Sequence, residues 1–323
     1  MGRTVCGGVR AVAAALGAAA GAALLSGCAG PAGGPTAPPH QPLDTRSLTR
    51  TRTLDLAERL LERDCMQGRG FRFWVVPPAP DSAHREFPYA VDDIAWATAH
   101  GYGSDLLARA RRDAAADPNQ RYLLSLPPDR RTVLIAALNG PRPTGLTADL
   151  PGGVRVSHSD EGCTAEAERK LYGDLPAWFR ATRVTAELTG ERVAMVQRDP
   201  RFLSARARWA GCMKAAGLPY ADPQQSRAAA TEPERRPGTG ATEPERSPGT
   251  ATGPGPAASR AREIRVAVAE ATCARSTGLS AVSASLDRSY GARLRRRYPR
   301  TYSDVARLSE AALPRARALI ARG

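Results

Sequence analysis

Four small groups of residues have types and spacing that can do chemistry. His158-Ser159-Asp160 contains the three residue types of a hydrolase triad. Triad members are brought together by the fold from separated positions, and no Gly-x-Ser-x-Gly elbow occurs, so this run reads as a loop capping a helix that begins near Glu161. Asp92-Asp93 offers two adjacent carboxylates for acid/base work or cation binding. With no partner base nearby, they read as a helix N-terminus, where acidic side chains complement the dipole. Gly101-Tyr102-Gly103-Ser104-Asp105 has the look of a phosphate-cradling loop. It lacks the GxxxxGK[ST] spacing and follows a helical pattern, which predicts a helix-to-helix turn. Arg293-Leu294-Arg295-Arg296-Arg297-Tyr298-Pro299-Arg300 is the one dense basic run, suited to anionic lipid headgroups or an anionic wall polymer. Its bland alternative is a solvated helix end stopped by Pro299. None of these groups nominates a catalytic residue, and no cofactor site is expected.

The cysteines carry a clearer message. Arg3 and Arg10 make a basic start, Ala11 to Leu25 is almost uninterruptedly apolar, and Leu25-Ser26-Gly27-Cys28 closes the segment. That sequence of features is an export signal. At about 15 residues the apolar run falls short of the roughly 20 that a permanent membrane helix needs. Its last four residues resemble the lipobox of bacterial lipoproteins, which makes Cys28 the residue to be lipidated, its thiolate serving as the nucleophile for the diacylglyceryl group. Two or more acyl chains then hold the product stably on the membrane. Removing Cys6 with the signal and Cys28 with the lipid leaves Cys65, Cys163, Cys212 and Cys273. An even set outside the cell favours disulfides, with three possible connectivities. A metal site is not expected, because there is no CxxC and His40, His84, His100 and His158 have no pair at i,i+4.

Three of the four cysteines share one frame, Cys-x4-Gly followed by an apolar residue: Cys65 with Gly70-Phe71, Cys212 with Gly217-Leu218, Cys273 with Gly278-Leu279. A left-handed glycine ends a helix and the next apolar side chain folds back on its last turn. Each cysteine thus belongs about one turn before a helix stop, Cys65 on a face shared with Leu54, Ala57 and Leu61. Trp209-Ala210-Gly211-Cys212-Met213 with Gly217-Leu218-Pro219-Tyr220, and Val266 through Cys273, resemble a family of uncharacterised actinobacterial lipoproteins and secreted proteins. Cys65-Met66, Pro88-Tyr89-Ala90, His100-Gly101-Tyr102-Gly103, Gly162-Cys163 and Leu171-Tyr172-Gly173 are similar to further blocks of that family. The likeness covers most of residues 54 to 320 and departs after Tyr220, where a long insert follows. No activity comes with it. It implies the pairing Cys212 with Cys273, which leaves Cys65 with Cys163. Loops of about 60 and 100 residues closed this way are each worth roughly 4 to 5 kcal/mol by chain entropy.

The elements that must position these residues are helical. Asp199-Pro200 reads as a cap and first helical position, and Phe202, Ala205, Trp209 and Cys212 follow at i, i+3, i+7, i+10. Similar periodicity predicts helices over 53–66, 104–116, 128–138, 161–172, 174–188, 261–277, 279–297 and 303–322. Only Phe71 to Val76 and Val154 to Val156 look extended. The expected fold class is therefore mainly α, a disulfide-braced helical domain with little or no sheet. Its organisation reads as a signal peptide at 1–27, a Pro/Gly tether at 28–53, and a helical domain at 54–221 resumed at 260–323. Between them, 222–259 is a disordered Pro/Gly/Thr insert in which Ala230 to Arg235 recurs as Ala241 to Arg246. As a coil, the tether places the body some 25 to 30 Å from the membrane. The charge of +14 rests on 46 basic residues, of which only Lys170 and Lys214 are lysines. With abundant Ala, Gly and Pro that is a high-GC coding bias, and no nucleic-acid partner is expected of an exported chain. These features predict a non-catalytic, membrane-anchored binding or structural component of the cell envelope, its partner an envelope protein or anionic wall polymer. An exported hydrolase acting on wall or peptide substrates is the competing class. A transporter's substrate-binding lipoprotein is disfavoured, since such folds need two α/β lobes.

Overall fold

In three places a helix of the chain stops on a glycine five residues after a cysteine, and the computed structural model shows the backbone geometry that does it. Gly70, Gly217 and Gly278 have φ of 78°, 75° and 79°. Phe71 N–H donates to the Met66 carbonyl at 3.0 Å and Leu218 N–H to that of Met213 at 2.9 Å, the long reverse bond of a Schellman end. Phe71 and Leu279, the residues after two of these glycines, are buried.

The structure describes residues 48–76, 85–231 and 255–322. Among them the order is α1 (Arg50–Gly68), α2 (Ile94–His100), α3 (Ser104–Ala116), α4 (Pro118–Ser125), α5 (Pro128–Asn139), β1 (Gly145–Asp149), β2 (Arg155–Ser159), α6 (Gly162–Tyr172), α7 (Leu175–Arg198), α8 (Pro200–Ala215), α9 (Pro223–Thr231), α10 (Pro256–Ser276), α11 (Leu279–Arg297) and α12 (Pro299–Ile320). The fold is mainly α with one antiparallel hairpin, Leu146 opposite His158 and Ala148 opposite Val156. Aspartates start several helices by accepting a backbone N–H: Asp93 from Trp96, Asp174 from Ala177, and Asp199 from Arg201.

Two apolar centres organise the packing. In one, Leu54, Ala57 and Leu61 of α1 meet Ala167, Leu171 and Tyr172 of α6 and Ala312, Leu313 and Ala316 of α12. In the other, Phe202, Ala205, Trp209 and Met213 of α8 meet Cys273 and Ala274 of α10 and Leu279 and Leu286 of α11. The long α7 packs on α12 and β1 and also on α11. Cys212–Cys273 joins α8 to α10 within the second centre with Cα atoms 5.7 Å apart, and Cys65–Cys163 joins α1 to α6 at 5.6 Å in a further apolar cluster with Met66, Phe71, Leu134 and Ala137. Both bridges and these centres lie within the compact unit Leu43–Gly323.

Several boundaries differ from the sequence expectations. The tether ends earlier than residue 53, because α1 begins at Arg50 and Thr53 is already buried, its hydroxyl donating to the Thr49 carbonyl at 3.0 Å. The insert expected over 222–259 begins with a helix: α9 buries Pro223, Ser226 and Ala230 against α10 without one large apolar side chain. Phe71 to Val76 is extended but unpaired, and the strand that pairs with β2 is β1. Of the short helices, α2 follows the helix start expected at Asp92-Asp93, whereas α4 and α9 carry too few apolar residues for their period to show. The signal segment, Cys28, most of the tether and 232–254 lie outside the described residues.

Candidate functional site

His158 and Ser159 are consecutive residues of β2, not a capping loop, so strand alternation sends them to opposite faces. Ser159 is buried and its hydroxyl accepts from Glu161 N–H at 3.2 Å, which leaves no approach for a substrate. His158 Nδ1 lies 3.1 Å from the Ser159 backbone carbonyl. The Asp160 carbonyl accepts from Arg169 at 2.7 Å. Nothing in this arrangement is a triad.

Asp92 and Asp93 divide their work. Asp93 caps α2, accepting from Trp96 N–H at 2.9 Å, and this bond with the nearby Arg85 holds its carboxyl below the usual range. The Asp92 backbone carbonyl accepts from Arg275 at 2.5 Å, tying the start of α2 to α10, while burial pushes its carboxyl up.

The Gly101–Asp105 turn does cradle an anion, and the anion is the chain's own. Tyr102 and Ser104 N–H donate to Glu263 Oε1 at 2.8 and 3.2 Å, the Ser104 hydroxyl donates to Oε2, and Arg260 donates to Oε2 at 3.1 Å. A side chain at position 101 would collide with that carboxylate at 2.9 Å. Two turns further along α10, Glu270 is completely buried. It accepts from Val91 N–H at 2.8 Å, the Tyr102 hydroxyl at 2.6 Å and the Ser226 hydroxyl. The Trp209 indole N–H donates to the Glu270 carbonyl at 3.3 Å. Burial is the main cause that raises the Glu270 carboxyl, partly offset by its donors, and it raises the Tyr102 phenol as well. The arrangement ties α2, α3 and α9 to α10. Sequence reasoning missed it, since the only available signal was Glu263 and Glu270 seven apart on an otherwise apolar helix face.

A second carboxylate group lies where α1 meets α6. Glu58 accepts from the Tyr172 hydroxyl, and Glu62 accepts from Thr164 at 3.1 Å and pairs with Arg59 at 2.7 Å. Burial first, then the charges of Glu168, Asp55 and Glu62, push the Glu58 carboxyl up to about 7, against the opposing Tyr172 bond. Glu168 is raised by burial too, opposed by Arg183 and His158. Tyr172 stacks on Trp178 with ring centres 3.6 Å apart, so each ring already has an aromatic partner on one face.

Two open grooves accompany these clusters. One of about 490 Å³ runs between α8 and α11 past Arg201 and Arg208, and one of about 730 Å³ lies between α5 and α6 past Arg69 and Glu166. Arg201 pairs with Asp199 at 2.9 Å and Arg69 with Glu166 at 3.6 Å, while Arg208 donates to the Ser204 hydroxyl at 3.2 Å and the Thr277 carbonyl at 3.3 Å. Among the described residues no group of three His, Cys, Asp or Glu is placed to hold a metal ion, and no helix is long and apolar enough to cross a membrane. The expected basic run bridges two helices: Arg295, Arg296 and Arg297 form the last turn of α11, and Pro299 opens α12 instead of merely ending its predecessor.

Fold and side chains together define a class, a disulfide-braced helical domain with buried carboxylate ties. No family model, curated protein or solved structure matches the chain.

Proposed function

We propose that this chain is an exported lipoprotein, held by lipid on Cys28 at the outer face of the cytoplasmic membrane, whose helical body is a non-catalytic binding or structural component of the envelope. The observation that carries the reading is the pair of disulfides, Cys65–Cys163 and Cys212–Cys273, each joining two helices. Such bridges are compatible with an extracytoplasmic location and are rare in the reducing cytosol. The basic, apolar, Leu-Ser-Gly-Cys amino terminus supports the anchor. Support for a non-catalytic body comes from Ser159, whose hydroxyl is buried, and from the carboxylates of Glu263 and Glu270, which are occupied by the chain's own donors.

Two measurements test this. The intact mass of the mature protein from its native cell should begin at Cys28 with added acyl chains, and Cys28→Ala should abolish them. A mature protein starting elsewhere without lipid ends the anchoring claim. Screening the purified body against peptidoglycan and peptide substrates should give no turnover. Hydrolysis abolished by one Asp or His substitution would replace the binding role with the hydrolase.

A further inference from the structure

Arg293, Arg295, Arg296, Arg297 and Arg300 are all exposed, and the eight-residue span they occupy contains no acidic side chain. Elsewhere several arginines pair with a carboxylate: Arg50 with Glu310, Arg192 with Asp287 at 3.0 Å, Arg307 with Asp304 at 3.0 Å. Among the described residues Arg293, Arg295, Arg296 and Arg300 make no such pair. Arg297 lies over the Tyr298 ring at 5.7 Å and has Glu191 as its acidic neighbour. The dipole of α11 accounts for cations in its last turn. It does not account for Arg300, which sits in the first turn of α12 where the dipole disfavours a cation and no acidic residue stands. The charge at this junction therefore exceeds what folding uses.

We propose that this arginine crest is a docking surface for anionic phospholipid headgroups. Guanidinium groups match phosphate oxygens in paired hydrogen bonds, and the half-buried Tyr298 and Tyr302 are amphipathic rings of the kind enriched at the lipid–water boundary. The position of the chain's entry favours a membrane over other polyanions. Arg50, the first residue of α1, is paired with Glu310 of α12, and Glu310 lies ten residues along that helix from Arg300, about 15 Å at 1.5 Å per residue. Residues 29–49, fully extended, span at most about 70 to 75 Å. A body anchored at Cys28 can thus bring the crest down on the bilayer. That step rests on the anchored reading above, whereas the affinity of the crest for anionic lipid does not.

The test uses residues 43–323 with both disulfides formed, which contain both apolar centres and both bridges. Co-sedimentation compares phosphatidylcholine vesicles with vesicles about one third phosphatidylglycerol, at low and at physiological salt. Binding should require phosphatidylglycerol and weaken with salt. The double variant Arg295→Gln, Arg296→Gln should lower the partition coefficient by about 25-fold, at roughly fivefold for each arginine. Arg111→Gln with Arg112→Gln, the same charge change on exposed positions of α3 outside the crest, should stay within about twofold, because the attraction falls off within a Debye length of the bilayer. Circular dichroism checks that both variants fold. No preference for anionic vesicles, equal loss in the two double variants, or binding to soluble poly(glycerol phosphate) without binding to vesicles would each overturn the proposal. Loss of the lipid on Cys28 would remove the anchor and leave the vesicle result standing, so the two failures are distinguishable.

Discussion

Replacing Glu58 by Gln should make the protein more stable at pH 8 and leave it unchanged at pH 4. Glu58 faces Asp55 and Glu62 on its own helix and Glu168 and Tyr172 across on α6, with burial as the largest influence on its proton. Its carboxyl rises from an ordinary value near 4.5 to about 7. An acid raised in the folded state binds its proton more tightly there than in the unfolded chain. Its contribution is complete below pH 4.5 and is lost as pH climbs through 7. A rise of that size corresponds to about 3 kcal/mol for holding the charge at pH 8, and water reaching this half-buried group reduces it to roughly 1 to 2 kcal/mol. Gln keeps an oxygen for the Tyr172 hydroxyl and carries no charge. Urea unfolding of the oxidised protein at the two pH values measures the difference directly. A substitution cost that is the same at pH 4 and pH 8, or a loss of stability at pH 8, would refute the argument, because both outcomes mean the Glu58 charge is not paid for in the folded state.

Other expectations follow from the same geometry. Reducing either disulfide should cost about 4 kcal/mol, given closed loops of 98 and 61 residues, and denaturant midpoints with and without reductant measure it. Gly162→Ala should destabilise strongly, since position 162 has φ +92° and a Cβ there would lie 2.3 Å from the Gly140 backbone nitrogen. Gly190→Ala, on the open face of α7 with nothing within 4 Å, should instead stabilise by about 0.5 to 1 kcal/mol, and thermal melts of both glycine variants measure the two effects. Glu270→Ala leaves Val91 N–H and the Tyr102 and Ser226 hydroxyls without their acceptor, and should cost at least about 3 kcal/mol. Hydrogen exchange should then show early loss of protection in α2 and α9.

Much of this was written locally along the chain. The Cys-x4-Gly frames could be read because a left-handed glycine and the apolar residue after it settle a helix end within one turn. Asp199-Pro200 could be read because a cap and a fixed φ need no distant partner. The same signature at Asp117-Pro118 starts α4, where Asp117 accepts from Asn119 and Gln120, and went unread for want of an apolar stripe behind it. Strand β1 escaped for a different reason. Gly145-Leu146-Thr147-Ala148-Asp149 buries only Leu146 and Ala148, and is recognisable as a strand once β2 is beside it.

Sequence alone determined the helical class and the three glycine stops, because period and turn chemistry are short-range properties. Tertiary structure alone decided the fate of the polar residues. A glutamate on a helix face has the same local preference whether it meets water or a ring of donors. Only the arrival of Val91, Tyr102 and Ser226 from 179, 168 and 44 residues away made Glu270 a buried tie. For the same reason α9, which lacks any large apolar side chain, folds where its composition gave no warning: Ser226 is held by a partner, not by its own hydrophobicity.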